Sequence, residues 1–279
     1  MADELIEPSY PPFAIGGLGG SGTRATAMLV RNCGCWLGGD LNSALDNLWF
    51  TLLFKRPSVL AESDARLAHL FSLFAARMEG QHSPRTMDAQ ALERLARDDR
   101  YMHSAEWLRA RVDSFIRGAE SPPPDCRWGW KEPNTHVVID RLFRLSPGLK
   151  YVHVVRDPHY MAQSQNQNQL QIWGPVFLDR VSVQRPEDAF AYWVAVHRRL
   201  DALQSEFPGR ILFFSHDRFM LDPESQAAAL LEFLELDPPS DKNQLFEGIV
   251  FKPPAPPDTQ LDADPDDLAF CTQFMSRFN

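Results

Sequence analysis

The stretch Phe13–Val30, FAIGGLGGSGTRATAMLV, decides how the rest of the chain is read. An apolar run, Phe13-Ala14-Ile15, enters a glycine cluster made of Gly16, Gly17, Gly19, Gly20 and Gly22, and a helical pattern then runs from Ser21 or Gly22 to Asn32. Strand, glycine loop and helix in this order expose several backbone N–H groups to a phosphate, and the helix N-terminus adds a partial positive charge at the same point. Gly17 and Gly22 have the glycine spacing of a nucleoside-triphosphatase loop, but Thr23 stands at the lysine position and Arg24 follows it. ATP-dependent phosphoryl transfer thus lacks its charge-neutralising lysine. A glycine cluster by itself leaves a phosphate cradle and a plain tight turn equally open.

Outward from the loop, strand and helix patterns alternate. Strands are expected at Phe13–Gly17, Cys35–Leu37, Arg127–Trp130, Lys150–Val155 and Arg210–Phe214. Helices are expected at Asn42–Phe54, Thr135–Leu145, Pro186–Phe207, Pro223–Leu234 and, weakly, Pro265–Phe274. Asp157 is suited to cap a helix whose first residue is Pro158. The amide-rich segment Gln163–Asp179 contains Trp173-Gly174-Pro175, so its second half reads as a loop. Residues 58–118 form an extended helical region in which Leu67, Leu70, Phe71, Phe74 and Met78 recur at helical spacing. The pattern describes one α/β domain over residues 1–279: a central, mostly parallel sheet flanked by helices. Its ligand belongs at the carboxyl ends of the strands, its helical insertion at 58–118 serves as a lid or acceptor wall, and its tail at 238–279 is proline-rich and acidic.

Bulk properties narrow the function. The chain has 279 residues, 44% of them apolar, and a formal net charge of −9. That balance argues against nucleic acid as a partner. No run approaches the ~20 apolar residues that cross a bilayer, and residues 1–12 are acidic, so a cytoplasmic location is expected. Cys33, Cys35, Cys126 and Cys271 form no C-x-x-C pair and suit a reducing compartment, as small buried residues or as a redox pair at 33 and 35.

A second anchor lies at Val154-Val155-Arg156-Asp157-Pro158 with Ser164 eight residues after Arg156. An arginine leaving a strand end and a hydroxyl on the next helix can clasp a second phosphate. Alone, Arg156-Asp157 reads as a local ion pair and cap; beside the glycine loop it reads as a phosphate clasp. Here the chain resembles the sulfotransferases that use 3′-phosphoadenosine 5′-phosphosulfate (PAPS). Gly20-Ser21-Gly22-Thr23-Arg24 is similar to their 5′-phosphosulfate loop, and Val155-Arg156-Asp157-Pro158 with Ser164 to their 3′-phosphate segment. Pro223–Leu236 is similar to the family's penultimate helix, and Trp128-Gly129-Trp130-Lys131-Glu132-Pro133 to a lysine-bearing segment of the tyrosylprotein branch. The resemblance covers most of residues 13–236.

The resemblance implies a P-loop-like sulfotransferase fold and transfer of a sulfonate from PAPS, leaving adenosine 3′,5′-bisphosphate (PAP), to a hydroxyl or amine. The acceptor can be a small molecule, carbohydrate, lipid or peptide, and no metal is required. It implies donor binding by Gly19, Gly20, Ser21, Gly22, Thr23, Arg24, Arg156 and Ser164, with Lys131 facing the sulfonate. A surface lysine beside a proline turn is the plainer reading of Lys131. The main departure is Gly20, where the family carries a lysine or arginine; Arg24 or Lys131 then has to supply the charge. The C-terminal phosphate-binding segment of cytosolic members has no clear match, Lys252 being a weak substitute. Asp40, close to where the tyrosylprotein branch places its base, is the expected general base, and it also suits a helix cap. Asp46, Asn47, His103, His136 and His216 are further candidates, and Trp128, Trp130 and Trp173 either flank the acceptor or fill the core. Two other readings are a magnesium-dependent P-loop kinase and a nucleotide-binding module without catalysis.

Overall fold

A computed structural model describes residues 11–81, 86–98, 100, 102–118, 120–123, 125–252 and 261–278. Four strands, β1 (Phe13–Gly17), β2 (Gly129–Lys131), β3 (Lys150–Val155) and β4 (Ile211–Ser215), form one parallel sheet in the order β2-β1-β3-β4. Ile15 lies opposite Lys131 on one side and Val152 on the other, and Val155 lies opposite Ser215. The carboxyl ends of the strands therefore share one edge, with β1 central. Both faces are covered, which is why the strands are near-continuous apolar runs rather than alternating ones. Phe13, Ile15, Val152 and Val154 pack on the side of α1 (Thr23–Asn32), while Ala14, Trp130, Tyr151 and Val155 face the larger core.

That larger core holds α2 (Leu48–Phe54), α3 (Asp64–Met78), α4 (Thr86–Leu95) and α5 (Ala105–Arg117). Trp130 of β2 is the joint: its ring stacks on Phe50 at 5.3 Å and meets Phe74 edge-on at 5.3 Å. The insertion is thus anchored to the edge strand by aromatic packing. A 3-10 turn, Pro133–Val137, and α6 (Ile139–Leu145) lead into β3, and α7 (Pro158–Ala162) and α8 (Asn168–Phe177) follow it. The long α9 (Pro186–Glu206) precedes β4, α10 (His216–Leu221) and α11 (Pro223–Leu234). Among the described residues the tail contributes α12 (Lys242–Leu245) and α13 (Pro265–Met275); Phe274 of α13 meets Trp193 of α9 at 5.7 Å.

Three local expectations differ from the structure. Cys35–Leu37 is not a strand: Trp36 makes a single parallel bridge to Trp128, because the chain turns away at Gly38 with φ +118°. The helix expected from Asn42 begins at Leu48; Asn47 caps it by accepting from Phe50 N at 2.9 Å, leaving 42–47 as a loop. Trp173-Gly174-Pro175 lies inside α8, with the Trp173 ring fully buried. Pro175 falls in the last turn of the helix, where its missing N–H removes one backbone hydrogen bond and little of the helix remains to be broken. Burial pushes the Cys33 thiol up to about 11 and Cys35 to about 12, so neither is a thiolate at neutral pH.

Candidate active site

The β1–α1 loop is shaped by two glycines in the left-handed region, Gly20 at φ +92° and Gly22 at φ +95°. Gly22 is the N-cap of α1, and a side chain there would meet the His216 ring at 2.2 Å. The N–H groups of Gly20, Gly22, Thr23 and Arg24 have no acceptor among the described residues. The Ser21 hydroxyl is buried at 2% exposure and also lacks a partner. Buried polar groups are normally satisfied, so this concentration of unpaired donors at a helix N-terminus fits an anion. Gly19 is different. Its N–H donates to Gln169 Oε1 at 3.1 Å, and Gln169 Nε2 donates to the Gly17 carbonyl at 3.2 Å. One buried side chain from α8 thus grips the loop backbone on both sides. Arg24 is exposed on the first turn of α1, with no ion pair to a described residue.

The β3–α7 junction meets this loop. Asp157 caps α7 by accepting from Tyr160 N at 2.9 Å, with Pro158 at the first position as the sequence indicates. Arg156 Nη1 donates to the Gly20 carbonyl at 2.8 Å, and its guanidinium lies 3.6 Å from the Tyr160 ring centroid. Asp217, just beyond β4, accepts from Asp157 N at 2.8 Å and stands 3.8 Å from Arg156 Nε. Burial pushes the Asp217 carboxyl above its ordinary range, against the pull of that N–H and of Arg156. The Ser164 hydroxyl lies 3.2 Å from where a Cβ on Gly20 would stand. Arg156, Ser164 and the loop therefore converge on Gly20. His216 packs under the loop, and burial, with Arg156 nearby, drives its pKa down to about 4, so it is neutral.

Lys131 ends β2 at the same sheet edge, two strands from Arg156. Its ammonium is buried and donates to the Ala44 carbonyl at 3.1 Å and to Asp46 Oδ1. Asn47 N donates to the Lys131 carbonyl at 2.7 Å and Leu48 N to the Asp40 carbonyl at 2.9 Å, so the 40–47 loop is closed over Lys131. Asp40 Oδ1 accepts from Arg111 of α5 at 3.2 Å, while Oδ2 is buried without a partner. The cap of α2 is Asn47, not Asp40. Glu132, 1% exposed, accepts from Asn134 N and Nδ2 and stands 3.7 Å from Lys55 Nζ; burial raises its carboxyl pKa. Asn134 in turn accepts from Trp173 Nε1 at 2.8 Å.

Trp130 and Trp173 lie wholly in the core and Trp128 nearly so. His136 is buried against Tyr192 and Pro133, its pKa driven to about 3 by burial; His103 sits on the insertion, 4.2 Å from the Trp107 ring. Lys252 is exposed. Sequence reasoning did not reach Gln169, Asp217, Tyr160 or Arg111. The one trace of Gln169 was the richness in amides of its segment. No group of three or more metal-ligating side chains is found among the described residues, and no described helix is long and apolar enough to cross a membrane.

Comparison with known proteins adds a family. The profile described as "Sulfotransferase family" matches residues 12–240. No curated protein matches the sequence. Sulfotransferase STF1 of Mycobacterium tuberculosis H37Rv is 16% identical, with a TM-score of 0.46 over 87% of this chain and 72% of its own. The sulfotransferase domain of the Synechococcus PCC 7002 olefin synthase is 15% identical, with a TM-score of 0.49 over 96% and 95%. A sulfotransferase from Alicyclobacillus acidocaldarius is 14% identical, with a TM-score of 0.41 over 96% and 92%.

Proposed function

The chain belongs to the sulfotransferase family, and from that premise we propose that it moves a sulfonate group from PAPS to a hydroxyl or amine acceptor. The observation that carries the donor assignment is the convergence at Gly20. Unpaired N–H groups of the loop, the orphaned Ser21 hydroxyl, the Arg156 guanidinium and the Ser164 hydroxyl surround one point at the sheet edge. That set suits a nucleotide with two anionic groups. PAPS, when bound, supplies an activated sulfonate whose leaving group is a phosphate.

In this reading Gly20, Ser21, Gly22 and Thr23 hold the 5′ side through backbone N–H groups and hydroxyls. Gly19 acts through its clamp to Gln169. Arg156 and Ser164 hold the 3′-phosphate, and Arg24 adds charge at the exposed rim. Lys131 has three N–H donors and spends two on Ala44 and Asp46, which leaves one for a sulfonate oxygen. Fixed cations and N–H dipoles of this kind lower the barrier by preorganisation. Asp40 takes the acceptor proton: Arg111 orients one carboxylate oxygen and the other has no partner.

The test is PAP formation from PAPS with phenol, sugar, lipid and peptide acceptors, in the presence of a magnesium chelator. Acceptor-dependent PAP release that survives the chelator is expected, with no phosphate transfer from ATP. A protein that neither binds PAP by calorimetry nor forms it from PAPS overturns the proposal.

A further inference from the structure

Gly20 stands where a lysine or arginine is expected, and its backbone explains why neither is present. At φ +92° an L side chain is strained. A Cβ there would also press on the Ser164 hydroxyl at 3.2 Å, tighter than ordinary contact. The loop geometry therefore disfavours a side-chain cation at this position.

A cation is nonetheless at that point. Arg156 arrives from the end of β3 and donates Nη1 to the Gly20 carbonyl at 2.8 Å. The guanidinium is held there by groups of the protein itself: the Tyr160 ring on its face at 3.6 Å, and Asp217 on its Nε side at 3.8 Å. Asp217 is fixed in turn by Asp157 N. Of the five N–H donors of a guanidinium, one is spent on Gly20, so the rest of the fork can meet an anion. The two other candidate cations are placed differently. Arg24 is exposed and unanchored among the described residues, and Lys131 is buried on the opposite side of β1 under the 40–47 loop.

We infer that Arg156 supplies the positive charge that the β1–α1 loop lacks at Gly20, so that one guanidinium serves the anionic groups at both ends of the donor. The inference rests on the PAPS reading and goes beyond it by giving Arg156 a share of the 5′ subsite. It makes the loss of the loop cation a relocation of charge from the loop to β3.

Calorimetry with three ligands separates the subsites: PAP, adenosine 5′-monophosphate, which lacks the 3′-phosphate, and adenosine 3′-monophosphate, which lacks the 5′-phosphate. Wild-type protein is expected to bind all three. Arg156→Ala is expected to weaken adenosine 5′-monophosphate by about tenfold or more, as loss of a charge-assisted contact does. It is expected to weaken PAP by more than either monophosphate. Arg156→Lys, which keeps the charge and loses the fork, is expected to fall between. Should Arg156→Ala fail to fold, Arg156→Gln carries the same comparison. Unchanged affinity for adenosine 5′-monophosphate, with losses confined to the two 3′-phosphorylated ligands, overturns the inference and leaves the PAPS reading standing. Wild-type protein that binds none of the three overturns the PAPS reading itself, and the inference with it.

Discussion

Gly22 shows how tightly single residues are specified around the loop. Its φ of +95° already disfavours any L side chain, and the His216 ring occupies the space a Cβ needs. Gly22→Ala is therefore expected to cost roughly 2–4 kcal/mol, combining left-handed strain with overpacking. Urea denaturation reads this directly, and a loss below about 1 kcal/mol means that the His216 ring moves aside freely. Lys131 calls for a different readout, because its proposed work is in the transition state. Lys131→Met is expected to lower kcat by roughly 10²–10³-fold with PAP affinity little changed. An equal loss in PAP affinity assigns Lys131 to binding instead. Asp40 and Asp46 are separated by the same logic. Asp40→Asn is expected to abolish single-turnover transfer, whereas Asp46→Asn, which still accepts a hydrogen bond from Lys131, is expected to retain much of it. The reverse order moves the base to Asp46.

At the scale of elements, α8 matters through one side chain. Gln169 both accepts from Gly19 and donates to Gly17, so it holds the loop backbone on both sides. Gln169→Leu is expected to reduce PAP affinity by about tenfold and to lower stability by roughly 1–3 kcal/mol, since the Gly17 carbonyl and the Gly19 N–H are left without their buried partner. Gln169→Glu is expected to bind PAP more weakly still, because it loses the donor for Gly17 and brings a negative charge to the loop. Equal affinity in all three proteins removes Gln169 from the site. The parallel strands β1, β3 and β4, the α1 start and the Asp157 cap were legible because each is carried by a local pattern: an apolar run, a glycine, or an Asp-Pro pair. The 163–179 segment was not, because the packing of Trp173 overrode the loop preference of Gly174-Pro175. Nor was the 40–47 loop, whose residues are individually compatible with a helix and are held out of it by Asn47, Asp40 and Lys131. Gln169, Asp217 and Tyr160 act across gaps of 60 or more residues or through ring stacking, and neither leaves a period or a spacing in the sequence. Gly20 was visible as a departure, but only its φ value gives the apparent loss a backbone reason.

The whole molecule carries an acid sensitivity that follows from its buried histidines. His136 and His197 are driven to about 3, His103 and His216 to about 4, and His153 well below its ordinary value, in every case chiefly by burial. Three of them, His136, His153 and His197, form a chain of rings in the larger core, with centroids 6.1 and 4.9 Å apart. All five are neutral in the folded protein at pH 6, where unfolded histidines are already taking up protons. A depressed folded pKa means that the unfolded state binds more protons below about 6.5, so stability falls as pH falls. Each of the three fully buried histidines, His136, His153 and His197, contributes up to about 1.4 kcal/mol per pH unit from about pH 6.5 down to its folded pKa, and the partly exposed His103 and His216 contribute less. Glu79, Glu132, Asp217 and Asp267 act in the opposite sense, because their pKa values are raised and the folded state takes up their protons first. Their effect starts from the carboxylate range, so the histidine slope dominates the first step below neutrality. Urea midpoints are therefore expected to drop steeply between pH 7 and 5. Replacing His197 by Leu, which removes its Nδ1 contact with the Trp193 carbonyl and the buried, unpartnered Nε2, is expected to flatten that slope by about one proton. A midpoint that holds steady from pH 7 to 5 shows that these histidines are protonated in the folded core, and so contradicts their dry burial.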